Sequence, residues 1–256
     1  MQNALLVGLS KQMSLQHEME VVANNIANID TNGFKADFPL FEEYLMRGAR
    51  DGSFRVADSP VSFMRDRGTL IDLNQGPFQR TGNPLDVAIN GDGFLVIQTP
   101  QGERYTRNGA LEINPQGELV TSEGYQVLGD GGPIAFQNQD TGITINPEGT
   151  ISIKDPTNST VAIIRGQLRV VSFAQSQRLE KEGGSTFSAP ADMPASPSTK
   201  FKLVQGALEK SNVRPIIEMS RMIEVSRSYA MIANLLQSRG DLDKTAIQQL
   251  SDVPTS

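Results

Sequence analysis

The 256-residue chain has no cysteine and a single histidine, His17. Without cysteine there is no thiol nucleophile, no disulfide and no cysteine-ligated metal. One histidine alone cannot build a usual zinc site, so no metal or cofactor is expected. Either a reducing or an oxidising compartment suits such a chain. Positive charge is not gathered anywhere: the net charge is -6 and no Lys/Arg cluster appears. This excludes binding to nucleic acid through neutralised phosphates, and polybasic attachment to membranes. No stretch approaches the ~20 apolar residues that span a bilayer, so no membrane insertion is expected. The first apolar run, Ala4 to Leu9, is short, holds Gly8 and lacks a basic lead-in. A cleavable signal peptide is therefore not expected, and any export would use another route.

Signs of catalysis are equally scarce. Walker and nucleophile-elbow motifs are missing. "NGDGF" at Asn90 to Phe94 and "LGDGGP" at Leu128 to Pro133 lack the spaced acids of a calcium loop, and read as tight turns between strands. The acidic pair Glu42-Glu43 reads as solvated charge. No enzyme activity and no small-molecule substrate are expected.

What the chain does contain is helix at both ends and strand between. From Asn3 to Asn28 apolar residues step by three and four. Leu6, Leu9 and Met13 make one run; Leu15, Met19, Val22, Ile26 and Ile29 make a second after a phase shift. Thr31, Asn32 and Gly33 supply the stop. At the other end Pro215 suits a first helical turn. Beyond it Met222, Val225, Tyr229, Ile232 and Leu236 form a stripe with Ile216, Met219 and Ile223 alongside, continuing weakly past Gly240 to Leu250. If unbroken, this is a rod of about 50 Å.

The middle is β-rich. "LDVAI", "FLVIQT", "YQVLG", "ITI", "ISI" and "LRVVSF" are short runs punctuated by Asn-Gly, Gln-Gly and Glu-Gly pairs. "NPQGELV" at Asn114 and "NPEGTISI" at Asn146 use one turn-then-strand device twice. Gly183 to Pro197 reads as a surface loop. The expected organisation is an N-terminal assembly helix at 1–35, an extended connector at 36–83, a β-rich domain at 84–205 and a C-terminal assembly helix at 206–256.

Neither terminal helix has a sequence neighbour to cover its stripe. The helices must pair with each other, with copies of themselves, or with both; packing on the β domain as ordinary core is the alternative. The fold class expected is a mainly β central domain whose flanking helices form a coiled-coil-like core domain.

One stretch resists an ordinary core reading. "VVANNIANIDTNGFK", Val21 to Lys35, places Asn24, Asn25 and Asn28 on a helix, where asparagine is an indifferent former. Amides donate and accept, so these residues could fix register at an interface as a polar residue does in a coiled coil. Otherwise they wind down a helix C-terminus. With the helical stripes, Asn24, Asn25, Asn28, Thr31, Gly33 and Phe34 complete the candidate assembly interface.

The same stretch carries a resemblance. "ANNIANIDTNGFK" resembles the signature of the bacterial flagellar rod and hook family. "TGNPLDVAINGDGFLVIQ" with "YTRNGALEINPQGELVTSEGYQVLG", and "QGALEKSNVRPIIEMSRMIEVSRSYAMIANLL", match its later blocks in order. The tail "NVRPIIEM" and the opening "MQNALLVGLSKQM" are more similar to proximal-rod than to distal-rod members. The resemblance implies a structural subunit that stacks helically, copies of itself and other rod proteins being its partners. It also implies export by the flagellar type III apparatus, and a place in the rod that crosses the periplasm and transmits motor torque to the hook. A reading from another class is a secreted monomeric β-rich adhesin, whose helices pair only within the monomer.

Overall fold

The computed structural model describes residues 2–46, 61–137, 139–154, 162–183 and 185–251. The chain divides into two compact units, one of residues 1–26, 37–70 and 215–256 and one of residues 27–36 and 71–214.

The first unit holds helices α1 (Gln2–Ala27) and α2 (Pro215–Ser251) and strands β1 (Asp37–Met46) and β2 (Val61–Ile71), which pair in a two-stranded sheet. Proline opens α2, where its missing N–H costs nothing, and Glu218 in the first turn complements the positive end of the helix dipole. The 37 residues of α2 run through Gly240 without a break, a length of about 55 Å. A single glycine costs only about 1 kcal/mol in a helix, which one turn's neighbours can offset.

The second unit is built around two adjacent strands, β3 (Phe78–Arg80) and β4 (Val87–Gly91) being followed by the central pair β5 (Phe94–Thr99) and β6 (Gly102–Thr106). β5 and β6 are antiparallel, with Val96 opposite Tyr105, inside a sheet that has ten strands among the described residues. Because strand side chains alternate, β5 serves two cores at once. Leu95 and Ile97 join Val87, Ile89, Val127, Ile151 and Val170 on one side. Phe94 and Val96 join Tyr105, Leu128, Val171 and Phe187 on the other. The near-continuous apolar run "FLVI" is thus what a strand buried on both faces requires.

The two "NP-x-G" turns are the same device. Gly117 N–H donates to Asn114 O and Gly149 N–H to Asn146 O, each at 2.9 Å, with the glycines at φ +85° and +91°. Glycine takes that conformation without the Cβ penalty.

Three sequence boundaries need correction. The expected connector at 36–83 is not one piece: residues 37–70 group with the helices and 71–83 with the β unit. Residues 206–214, expected with the C-terminal helix, also belong to the β unit, where strand Ala207–Glu209 pairs with β3. Gly183 to Pro197 is more than a surface loop. Its Thr186–Ser188 pairs with β6, and Phe187 is fully buried. Serine- and proline-rich composition concealed one aromatic anchor that decides the packing.

Candidate assembly surfaces and the buried junction

At ~100° per residue, the two apolar runs on α1 lie on roughly opposite faces: Leu6, Leu9 and Met13 within one ~60° arc, Leu15, Met19, Val22 and Ile26 within another. The phase shift in the sequence is therefore a change of face. Leu15 and Val22 are buried, while Leu6, Leu9 and Met13 are exposed. α2 repeats the division. Met222, Val225, Tyr229, Ile232 and Leu236 are buried or half-buried, and Ile216, Met219 and Ile223 are exposed. Farther along, Met231, Leu235 and Leu242 form another exposed apolar group.

The inward faces meet each other, antiparallel. A Cβ on Gly8 would lie 2.7 Å from Leu236 Cδ2, so the small residue admits the large one. Gln12 Nε2 donates to Tyr229 Oη at 3.1 Å, Ser226 Oγ lies 3.9 Å from Met19 Sδ, and Arg221 Nε donates to Glu18 Oε1 at 3.1 Å. His17 lies on this unit too, edge-on to Phe41 at 6.4 Å between ring centroids and 3.5 Å from Thr69 Oγ1. Among the described residues no cluster of metal-ligating side chains is found, and no helix is long and apolar enough to cross a membrane.

The asparagines separate. Asn25 is fully buried. Its Nδ2 donates to Asp37 O at 2.8 Å and to Glu218 Oε2 at 3.3 Å, and its Oδ1 accepts from Asp37 N–H at 2.9 Å. One amide thus ties α1 to the start of β1 and to the first turn of α2. An intersubunit role is not needed to explain it. Asn28 accepts the Thr31 hydroxyl at 3.1 Å and, through its carbonyl, Thr31 N–H at 3.3 Å, which is the closing turn of a helix. Asn24 is exposed.

Within the β unit, the segment that follows α1 is pinned by a cluster the sequence did not announce. Lys35 Nζ lies 2.6 Å from Glu209 Oε1, both side chains fully buried, and Arg107 Nη1 lies 3.3 Å from Glu209 Oε2. Lys35 also donates to Asn74 O at 2.8 Å, and Gly76 N–H donates to Glu209 Oε1 at 2.9 Å. Arg107 donates to Gly91 O at 2.9 Å, and its guanidinium sits 5.3 Å from the Phe94 ring centroid. Burial pushes the Lys35 amine below its ordinary 10.5; Glu209 pulls it back up, and Arg107 adds to the lowering.

The backbone is equally tied. Gly33 N–H donates to Glu209 O at 2.8 Å, Asn212 Oδ1 accepts from Ala36 N–H at 2.7 Å, and Asn212 Nδ2 donates to Asp72 O at 2.9 Å. Gly33 has φ +70°, and a Cβ there would lie 2.5 Å from the Arg107 carbonyl carbon. Phe34 packs with Ala36, Val213 and Ile29. Gly33 and Phe34, placed on the candidate interface from sequence, are thus buried within the β unit. Lys35, Arg107 and Glu209 carry no joint signal in the sequence, because each lies more than 70 positions from the next. The only clue was that each lies inside one of the three matched blocks.

Comparison with known proteins identifies the class. Three family models match in order: the flagella basal body rod protein at residues 5–35, the flagellar hook protein FlgE/F/G D1 domain at 88–153, and the flagellar basal body rod FlgEFG protein C-terminal at 204–249. The chain is 38% identical to the flagellar basal-body rod protein FlgF of Caulobacter vibrioides, covering 99% of this chain and 100% of that protein. It is 32% identical to FlgF of Mesorhizobium japonicum over 98% of each chain. Against the flagellar basal-body rod protein FlgG of Bacillus subtilis it is 30% identical, covering 94% and 97%. The chain belongs to the family of flagellar basal-body rod proteins, within which FlgF is better supported than FlgG. The family is a structural one.

Proposed function

We propose that this chain is a subunit of the proximal part of the flagellar rod, held there by the outward faces of α1 and α2. The observation that carries the reading is the second apolar face on each helix. The inward faces are used within the chain, yet Leu6, Leu9, Met13, Ile216, Met219 and Ile223 are exposed. Groups of large exposed apolar side chains mark binding surfaces in soluble proteins. In a helical stack these faces meet copies of the chain and other rod proteins, and the paired helices extend into a coiled-coil-like inner core. Export through the flagellar type III apparatus and a position across the periplasm follow from the same reading. An adhesin that stays monomeric would have no use for the outer stripes.

The test is a double substitution, Met13→Glu with Ile223→Glu, in a strain lacking its own copy. Both positions are exposed, so the monomer's stability should change by no more than about 0.5 kcal/mol. Swimming should be lost while export and helix content persist, because each interface would bury unpaired charge. Wild-type swimming by the variant would overturn the reading.

A further inference from the structure

The chain holds nine methionines and no cysteine, so methionine supplies its only oxidisable sulfur. Their placement is uneven. Met13, Met219 and Met231 are 65%, 52% and 70% exposed, all on helices, whereas Met193 in the β unit is 8% exposed. Met19 and Met222 are half-buried on the inward faces. We infer that Met13, Met219 and Met231 are three separate sites of reversible oxidation on the unassembled subunit, and that their oxidation by a peroxide blocks the outward faces without unfolding the helix pair. The consequence for assembly rests on the rod-subunit reading above.

The chemistry balances simply. The thioether sulfur's lone pair attacks one peroxide oxygen, the S–O bond forms and the O–O bond breaks. The departing hydroxide takes the remaining proton as water. Sulfur loses two electrons and the peroxide gains them. Two thiols of a reductase return the thioether, leaving a disulfide and water. The reaction needs access to sulfur, and exposure ranks that access.

The effect follows from where the three sulfurs stand. Each sulfoxide places a strong acceptor in an apolar group: Met13 beside Leu9 on α1, Met219 between Ile216 and Ile223 on α2, Met231 beside Leu235. Burying such a group without a donor is costly. None of the three contributes to the antiparallel contacts at Gly8, Gln12, Met19, Glu18 and Asn25. Folding is therefore spared while the outer surface changes character.

Purified full-length protein treated with dilute hydrogen peroxide, followed by peptide mass spectrometry, tests the sites. Met13, Met219 and Met231 should gain one oxygen about tenfold faster than Met193, with the helical circular-dichroism signal retained. Equal rates at Met193, or loss of helix as the three react, would overturn the assignment. The consequence is tested by two triple variants in the strain without its own copy. Glutamine, close in length and carrying a carbonyl acceptor, imitates the sulfoxide; leucine keeps the apolar surface. The leucine triple should swim and the glutamine triple should not, at equal subunit levels. Swimming by both, or by neither, overturns the proposed block. The Met13→Glu, Ile223→Glu variant separates this from failure of the rod reading, since swimming there would remove the assembly surface itself.

Discussion

Replacing Glu209 with alanine is expected to lower the melting temperature of the β unit by roughly 6–20 °C, the shift that a loss of about 3–5 kcal/mol gives in a domain of this size. The reason is imbalance. Glu209 is the carboxylate between two buried cations, Lys35 at 2.6 Å and Arg107 at 3.3 Å, and it also accepts from Gly76 N–H. Its removal leaves both cations desolvated without the carboxylate that bonds them, Asp72 being the remaining negative charge that acts on Lys35, and strands one amide. Removing one partner of a buried pair costs far more than the pair itself contributes. Glu209→Gln keeps the shape and should cost less than alanine.

The pH dependence has a definite sign. Lys35 already sits below its ordinary pKa, and without Glu209 it falls further. A folded-state pKa below the unfolded value means the native state sheds its proton first on the alkaline side. The penalty in Glu209→Gln is therefore full below the lowered Lys35 pKa and shrinks as pH rises through it. Adding Lys35→Met to Glu209→Gln should recover part of the loss at pH 7. Denaturation curves for the two single variants and the double measure the coupling. A melting point for Glu209→Ala within 2 °C of the parent, the shift expected of well under about 1 kcal/mol, would refute the role given to this cluster.

The second large effect is expected at Asn25, and it falls on the other unit. Asn25→Ala removes three hydrogen bonds and leaves Asp37 N–H and O unserved, a loss of about 1–3 kcal/mol. Asn25→Asp should be worse at neutral pH, about 3–5 kcal/mol, because it buries a second carboxylate facing Glu218 and replaces the donor by an acceptor. Burial and the neighbouring acid would raise the new carboxyl's pKa. A raised folded pKa makes the native state hold its proton longer, so the deficit relative to the parent shrinks as pH falls from 7 toward 5. Hydrogen exchange resolves the location. The ends of α1, β1 and α2 should lose protection, with β5 and β6 unchanged. Loss of protection in β5 or β6, or an aspartate variant as stable as alanine at pH 7, would contradict the hydrogen-bond account.

Asn25 shows what sequence reading could and could not reach. Three asparagines on a helix were conspicuous, because the residue is a poor helix former without a task. The choice between an intersubunit and a terminal role was not available, since the partners lie 12 and 193 positions away. The structure assigns them differently: Asn28 closes the helix, and Asn25 joins three segments of its own chain. The helical runs tell a similar story. Steps of three and four located α1 and α2, but two runs on one helix looked like a single stripe with a slip. Only the partner helix revealed that one run faces in and the other out.

The sequence by itself determined the helical ends, the β-rich middle, the turns at Asn114 and Asn146, and the family, because these depend on local periodicity, on turn chemistry and on contiguous motifs. Tertiary structure alone decided which apolar face is left exposed, where residues 206–214 belong, and that Lys35, Arg107 and Glu209 meet. The physical reason is range. A periodicity is written in neighbouring residues, whereas a buried charge cluster exists only after distant segments have been brought within 3–4 Å, the reach of a hydrogen-bonded ion pair.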